Sequence, residues 1–153
     1  MSKPTLDVVI PVLNEAHVLE RSVATVRAFL LSEFDYDWRI VIVDNGSTDG
    51  TDAVARRLCE SNDRLLFHHM EQKGRGRALR LAWLQSSADA VCYMDVDLST
   101  NLRHLKQLAS ALFEEGYDVV TGSRLLPESR IRRSATREFI SRVYNWLVRL
   151  MLP

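Results

Sequence analysis

Two carboxylates, Asp95 and Asp97, stand one residue apart directly after the apolar run Val91–Met94. The run predicts a buried strand, and the two acids then fall where that strand leaves the sheet. Two like charges at close range raise each other's pKa unless a positive group lies between them. A divalent cation that holds a diphosphate supplies that charge, because Mg²⁺ binds through one or two carboxylates together with substrate phosphates. The spacing therefore predicts a metal and diphosphate site, although a strand end followed by a helix cap would also explain it.

The residues of this acidic segment suit different ligands. Asp97 is the better candidate for a direct metal ligand, and Ser99 is near enough in sequence to assist it. Asp95 is better placed for a ribose or a metal-bound water. We therefore predict Asp95, Asp97 and Ser99 as the metal-binding group, with Mg²⁺ or Mn²⁺ as the ion.

A third acid, Asp44, ends a second apolar run, Trp38–Val43. Its carboxylate could accept hydrogen bonds from a nucleobase or a ribose. It could equally hold the turn at Gly46 by an Asx-type bond, and the residues alone leave both interpretations open. Asp49 is expected to support the first turn of the next helix rather than a ligand.

The segment Gln72–Arg77 combines two glycines with three basic residues. Such a loop favours close approach of a phosphate to the backbone, with cations nearby, although a solvated basic loop would have the same composition. The Walker pattern Gly-x4-Gly-Lys-Ser/Thr is absent, and so is the Rossmann glycine fingerprint. The loop therefore indicates phosphate binding without matching either nucleotide motif.

Basic residues dominate the last part of the chain, with seven arginines against two glutamates from Arg124 to Arg149. Arg124 follows an expected strand end, where its planar guanidinium could bind a phosphate or a carboxylate. From Ser134 to Leu152, apolar residues recur at helical spacing with arginines between them, which predicts a basic amphipathic helix. Such a helix can lie on an anionic membrane surface, and a core helix whose packing partners are missing is equally consistent.

Hydrophobic periodicity predicts the elements that position these residues. Five strands are expected, with helices between them and Asn14 capping the first helix: Leu6–Val12, Trp38–Val43, Leu65–His68, Ala90–Met94 and Tyr117–Thr121. This alternation predicts an α/β fold, a Rossmann-like, mostly parallel sheet with helices on both faces. Right-handed crossovers bring every strand's carboxyl end to one edge, so the polar groups that follow the strands should meet there.

The composition of the chain is ordinary for a globular domain and excludes few functions. Its 153 residues are 46% apolar and 26% charged, with 20 basic against 20 acidic side chains. This balance argues against a nucleic-acid binder. Cys59 and Cys92 lack metal-ligand spacing and are expected to be free, mostly buried thiols in a reducing compartment. The sequence has no apolar signal region and no membrane-spanning run, and its end within apolar residues indicates C-terminal truncation.

Taken together, these segments resemble the family 2 inverting glycosyltransferases of the GT-A fold, and most of all the dolichyl- or polyprenyl-phosphate sugar synthases. The matching segments occur in family order over nearly the whole chain: Val9–Glu15, Val43–Thr51, Lys73–Gly76, Met94–Ser99, Gly122–Arg124 and Arg137–Arg142. Two departures stand out. Members of the family continue beyond the helix that ends here, and the acid that usually follows Asp44 is Asn45 in this chain.

The resemblance implies a nucleotide-sugar donor, a divalent cation and particular roles for individual residues. Asp97, Arg124 and Arg137 would be the catalytic residues, the two arginines by binding phosphate. Asp95, Asp97 and Ser99 would hold the metal. The donor would be bound by seven residues: Pro11, Leu13, Glu15, Asp44, Lys73, Asp95 and Val96.

The polyprenyl-phosphate branch implies a lipid monophosphate acceptor and a location peripheral to the cytoplasmic face of a membrane. Residues 1–125 would form the nucleotide-sugar-binding α/β domain, and residues 126–153 its basic, acceptor- and membrane-proximal helical segment. A transferase acting on a glycan or polysaccharide, and a nucleotide-sugar-binding fragment without catalysis, are the alternatives. The choices between UDP and GDP, and between glucose and mannose, stay open, and an oligomer is possible.

Overall fold

The protein is described here by a computed structural model that covers residues 3–122, 143–144 and 146–151. The chain divides into two compact units, Met1–Val120 and Thr121–Pro153. In the second unit the described residues 143–144 and 146–151 are helical, which agrees with the helix predicted there. The rest of that predicted helix lies outside the described residues, as do Arg124 and Arg137.

Strands and helices alternate along the first unit. Their bounds are β1 Thr5–Val12, α1 Ala16–Glu33, β2 Asp37–Asn45, α2 Thr51–Glu60, β3 Leu65–Met70, α3 Arg75–Gln85, β4 Ala90–Tyr93 and α4 Arg103–Phe113. The four strands form one sheet in the order β3-β2-β1-β4, and every neighbouring pair is parallel. The predicted α/β sheet is therefore confirmed, and the carboxyl ends of its strands share one edge.

The strand predicted over Tyr117–Thr121 is wrong, because those residues have no strand structure. The alternation of apolar residues there resembles a strand, yet the side chains of Tyr117 and Val119 are 58% and 83% exposed. The Tyr117 amide instead donates to the Ala111 carbonyl at 3.2 Å, which closes the end of α4. The turn passes through Gly116 at φ +76°, a conformation that glycine adopts without steric cost.

The central strand β1 divides its side chains between two cores. Val8, Ile10 and Val12 pack into a cluster with buried residues of α1, α2 and α4. Val9 belongs to a second cluster with Val41, Val43 and buried alanines of α3. Because successive side chains of a strand point to opposite faces, this division places α3 on one face of the sheet and the other three helices on the opposite face. The prediction of helices on both faces is confirmed.

Both cysteines are free and partly buried, as predicted. Burial raises the pKa of Cys92 to about 12 and raises the pKa of Cys59 above its ordinary value. Neither thiol therefore carries the thiolate character of a nucleophile at neutral pH.

Candidate active site

A cleft of about 340 Å³ opens at the carboxyl edge of the sheet. It is lined by Pro11, Val12, Leu13, Glu15, Asn45, Arg75, Asp95, Val96 and Asp97. These residues come from the ends of three strands, β1, β2 and β4, and from the start of α3. Open α/β sheets bind ligands at this edge, so the cleft stands where the sequence predicts a site.

The loop after β1 forms one wall of the cleft through Pro11, Leu13 and Glu15. Pro11 and Glu15 are half-buried, and Leu13 is exposed. Glu15 is the residue that precedes α1, and its carbonyl accepts the amides of Val18 and Leu19 at 3.1 and 3.0 Å. An apolar side chain beside a carboxylate suits a base and its ribose, and all three predicted residues line the same cleft.

Side chains of the turn after β2 brace this loop. The Asn14 amide donates to Ser47 Oγ at 2.9 Å, and the Glu15 amide donates to Thr51 Oγ1 at 2.8 Å. In return, Asn14 Oδ1 accepts the Thr48 amide at 2.9 Å. The prediction that Asn14 caps α1 is wrong, because Asn14 adopts φ +57° and its side chain serves the other loop.

Asp49 completes the brace at the start of both helices. Its Oδ2 accepts the Ala16 amide at 3.1 Å, and its Oδ1 accepts the Thr51 amide at 3.0 Å. The hydrogen bond from the Thr51 hydroxyl and these two amides lower the pKa of Asp49 below its ordinary value. The predicted role of Asp49, support of the first helical turn of α2, is confirmed.

Asp44 lies behind the cleft, where its side chain is fully buried. Its Oδ1 accepts the Ser47 amide at 3.2 Å, and its Oδ2 lies 2.8 Å from Nδ1 of His69 in β3. Both carboxylate oxygens therefore have protein partners. The turn-holding bond that the sequence left open is present, and Asp44 does not line the cleft.

The loop after β3 is tied to β2 by close backbone contacts. The Gly74 amide donates to Asn45 Oδ1 at 2.7 Å. At Gly46 the backbone has φ +75°, and an added Cβ would lie 2.8 Å from the Glu71 carbonyl oxygen. Only glycine fits this approach. Lys73 is exposed in the same loop and does not line the cleft.

The acidic segment after β4 is a tight turn that supplies Asp95, Val96 and Asp97 to the cleft. The Leu98 amide donates to the Asp95 carbonyl at 3.2 Å, and the Ser99 amide donates to Asp97 Oδ1 at 3.0 Å. Val96 is buried, whereas Asp97 is exposed. The turn is therefore anchored by the buried Val96 side chain, and both carboxylates line the cleft.

Arg75 is the first residue of α3, and its guanidinium contacts Asp95 Oδ1. The same guanidinium lies over the ring of Tyr93, 5.3 Å from its centroid. The Trp83 ring lies beside Tyr93 at 6.4 Å between centroids. Sequence reasoning assigned the loop to phosphate but did not assign Arg75 itself, and nothing in the spacing indicates its pairing with Asp95.

The oxygen ligands that the cleft offers fit a divalent cation that is also coordinated by phosphates. Within the described residues, no three His, Cys, Asp or Glu side chains are grouped to hold a metal by themselves. Asp95 and Asp97 provide two carboxylates, the number that Mg²⁺ takes from a protein when phosphates fill its remaining positions. Ser99 is exposed beside them, with its amide already bound to Asp97.

The structure thus brings together most of the predicted site residues. Six of them line the cleft: Pro11, Leu13, Glu15, Asp95, Val96 and Asp97. Asp44, near the end of β2, and Lys73 and Ser99, in the loops after β3 and β4, lie outside the lining. Asn45, noted in the sequence only as a departure from the family pattern, lines the cleft and holds the Gly74 amide.

A parallel sheet with helices on both faces and two carboxylates at its carboxyl edge places the chain in a class, the α/β proteins with the GT-A fold of glycosyltransferases. The chain belongs to glycosyl transferase family 2, whose family model matches residues 7–150. The family and the fold predicted from the sequence are confirmed. Among the described helices, none is both long and apolar enough to cross a membrane.

Two curated relatives and one solved structure define the similarity further. Glycosyltransferase AglD of Haloferax volcanii is 36% identical over 96% of this chain and 24% of its own length. The dolichyl-phosphate beta-glucosyltransferase of Saccharomyces cerevisiae is 27% identical over 70% of this chain and 34% of its own. The mannosyltransferase PcManGT from Pyrobaculum calidifontis, solved with GDP-Man and Mn²⁺, superimposes with a TM-score of 0.53 at 28% identity, covering 63% of this chain and 28% of that one. This chain therefore spans a quarter to a third of each protein's length.

Proposed function

We propose that this protein transfers a hexose from a nucleotide sugar to a polyprenyl or dolichyl phosphate, with inversion and with the help of Mg²⁺ or Mn²⁺. The observation that carries the proposal is the cleft, which Asp95 and Asp97 line together with the apolar Leu13 and the acidic Glu15. Family membership supports sugar transfer. The yeast relative, named for a dolichyl-phosphate acceptor, supports the lipid phosphate.

The wall after β1 would bind the nucleoside. Leu13 offers an apolar surface to the base, and the Glu15 carboxylate is an acceptor for ribose hydroxyls. Asp44 would act through its turn and through His69, since both of its oxygens are engaged. The brace from the turn after β2 keeps this wall in one position, which reduces the ordering cost of binding.

The acids after β4 would bind the diphosphate end of the donor. Asp95 and Asp97 would hold the cation, which supplies Lewis-acid stabilisation of the departing nucleoside diphosphate. Lys73 and the Gly74 loop would lie near the nucleotide, where cations and amides favour phosphate. Arg124 and Arg137 are proposed to bind the acceptor phosphate or the leaving diphosphate.

A lipid monophosphate is already anionic at neutral pH. It therefore requires charge neutralisation and in-line placement rather than a strong general base. A single displacement of this kind inverts the anomeric carbon. The proposed location is the cytoplasmic face of a membrane, where the basic segment 126–153 would meet anionic lipid.

The identity of the donor separates two branches of this proposal. The yeast relative's name specifies glucose, whereas the Pyrobaculum structure contains GDP-mannose. Calorimetric titration distinguishes the two branches: UDP-glucose and GDP-mannose are each titrated into this chain, first with Mn²⁺ and then with chelator. We expect one donor to bind with the metal and to be lost without it.

Asp97→Ala tests the metal site directly. We expect this variant to lose at least about tenfold in donor affinity with Mn²⁺, because even outer-shell partners of metal ligands change affinity 10–100-fold. Asp63→Ala is the matched control, since Asp63 is exposed and precedes the amino end of β3, at the opposite edge. Equal donor binding by the wild type and Asp97→Ala would contradict the metal role, and equal transfer to lipid phosphate would contradict it independently.

A further inference from the structure

Arg75 occupies a position that the proposed reaction does not yet use. Its guanidinium contacts Asp95 Oδ1 and lies over the Tyr93 ring, and the residue lines the same cleft as Asp97. A carboxylate proposed as a metal or ribose ligand therefore already has a cation beside it. A metal bound to Asp95 would therefore compete with the Arg75 guanidinium for the same carboxylate.

We infer that Arg75 is a binding residue for the donor diphosphate, held by Asp95 until the metal and the donor bind. The Arg75 guanidinium would leave Asp95 once that carboxylate holds the cation, and it would then bind the donor's phosphate oxygens. The inference rests on the proposed function. It assigns Arg75 two anionic partners in the same cleft, first the Asp95 carboxylate and then the donor diphosphate.

The exposure of the pair makes this exchange possible. The side chains of Arg75 and Asp95 are 54% and 45% exposed. Exposed ion pairs are weak, because solvent screens them and two side chains must be ordered, so this one corresponds to roughly a 1.5- to 5-fold effect on a competing equilibrium. A divalent cation with phosphate ligands can displace an interaction of that size.

The surroundings of Arg75 keep the released guanidinium in the cleft. Its backbone begins α3, and the preceding Gly74 amide is fixed on Asn45 Oδ1 at 2.7 Å. The Tyr93 ring, itself beside Trp83, offers a flat surface beneath the guanidinium. The planar guanidinium matches two phosphate oxygens, and the positive end of the helix dipole favours the same anion.

The test compares Arg75→Met with the wild type in two binding measurements. Electron paramagnetic resonance follows Mn²⁺ alone, and calorimetry follows UDP and GDP at saturating Mn²⁺. We expect Arg75→Met to bind Mn²⁺ alone roughly 1.5- to 5-fold more tightly, since its competitor is gone. We expect it to bind the preferred nucleoside diphosphate about 10- to 150-fold more weakly, since a charge-assisted hydrogen bond is lost. The two effects have opposite signs.

Arg80→Met is the matched control. Arg80 belongs to the same helix as Arg75 and is exposed, but it does not line the cleft. This variant should match the wild type in both measurements. Thermal unfolding of each variant establishes that it is folded before binding is compared.

The outcomes separate this inference from the proposed function. If the wild type binds Mn²⁺ and nucleotide and Arg75→Met behaves identically, the role of Arg75 is refuted while the donor site stands. If Arg75→Met weakens both ligands, or changes only Mn²⁺ binding, the exchange between Asp95 and phosphate is refuted. If the wild type binds neither Mn²⁺ nor a nucleoside diphosphate, the proposed function fails, and this inference fails with it.

Discussion

Arg39→Met should be among the most destabilising single substitutions in the first unit. Asp7 in β1 is 1% exposed, and its carboxylate receives Arg39 Nε at 2.7 Å and Nη2 at 2.8 Å. Ser86 Oγ donates to the same carboxylate at 2.5 Å. The hydrogen bonds that Arg39 donates to Asp7 also raise the pKa of Arg39. Removing the guanidinium leaves a buried charge with one hydroxyl partner.

The magnitude follows from the burial of the two partners. Breaking a buried ion pair by removing one side costs about 3–5 kcal/mol, because the remaining charge is desolvated without compensation. The side chain of Arg39 is 29% exposed, so water can partly replace it and we expect the lower end, about 3 kcal/mol. The free energy of unfolding of an ordinary domain is only about 5–15 kcal/mol, so this loss is a large fraction of the total stability.

The assay is urea unfolding followed by circular dichroism, on Arg39→Met and on the double variant Asp7→Val, Arg39→Met. Replacing both members with apolar side chains is often neutral, so the double variant should recover most of the lost stability. Arg57→Met is the control, because Arg57 pairs with Glu20 at 2.8 Å while both side chains are about two-thirds exposed, and its effect should be small. A loss below about 1 kcal/mol in Arg39→Met, or a double variant less stable than the single, would refute the reasoning.

Two further substitutions test the turn after β2. Asp44→Ala removes the partner of the half-buried Ser47 amide and of the exposed His69 ring, and a typical intramolecular hydrogen bond contributes about 0.5–1.5 kcal/mol to stability. Denaturant unfolding should therefore show a clear loss. Unchanged stability with lost donor binding would mean that the carboxylate serves the ligand instead. Asp49→Asn should reduce the acid sensitivity of folding: hydrogen bonding, chiefly from Thr51, lowers the folded pKa of Asp49. The contribution of the Asp49 carboxylate to the free energy of unfolding is thus complete above its pKa in the unfolded chain, about 3.9. It is lost as the pH falls through its lower pKa in the folded protein. Plots of the free energy of unfolding against pH for the variant and the wild type should converge below about pH 4. Parallel plots would contradict the stabilising role of the ionised Asp49.

The sequence predicts the sheet and most of the cleft because both depend on local patterns. Apolar runs identify β1, β2, β3 and β4, and parallel connections then fix which ends meet. Asp95 and Asp97 follow directly from their position after a strand. The same reasoning fails at 117–121, since alternation alone does not provide a neighbouring strand, and Tyr117 bonds back to α4 instead.

The contacts that sequence reasoning missed join residues far apart in the chain. The pairing of Arg75 with Asp95, and of Asp44 with His69, depends on strand register and on side-chain direction. No local pattern records either. Asn14 shows the same limit, because its residue type is typical of a helix cap, yet its partner is Thr48 in another loop.

The brace between the loops after β1 and β2 also links the binding site to the folding of the sheet. Its hydrogen bonds join residues 33, 34 and 36 positions apart, from Asn14 to Ser47, from Asn14 to Thr48 and from Glu15 to Thr51. The parallel pairing of β1 with β2 joins Thr5 to Asp37, 32 positions apart, so the sheet and the brace close loops of nearly the same length. Because the chain entropy lost on closing a loop depends on its length, the wall of the cleft forms at little further entropic cost once these two strands have paired.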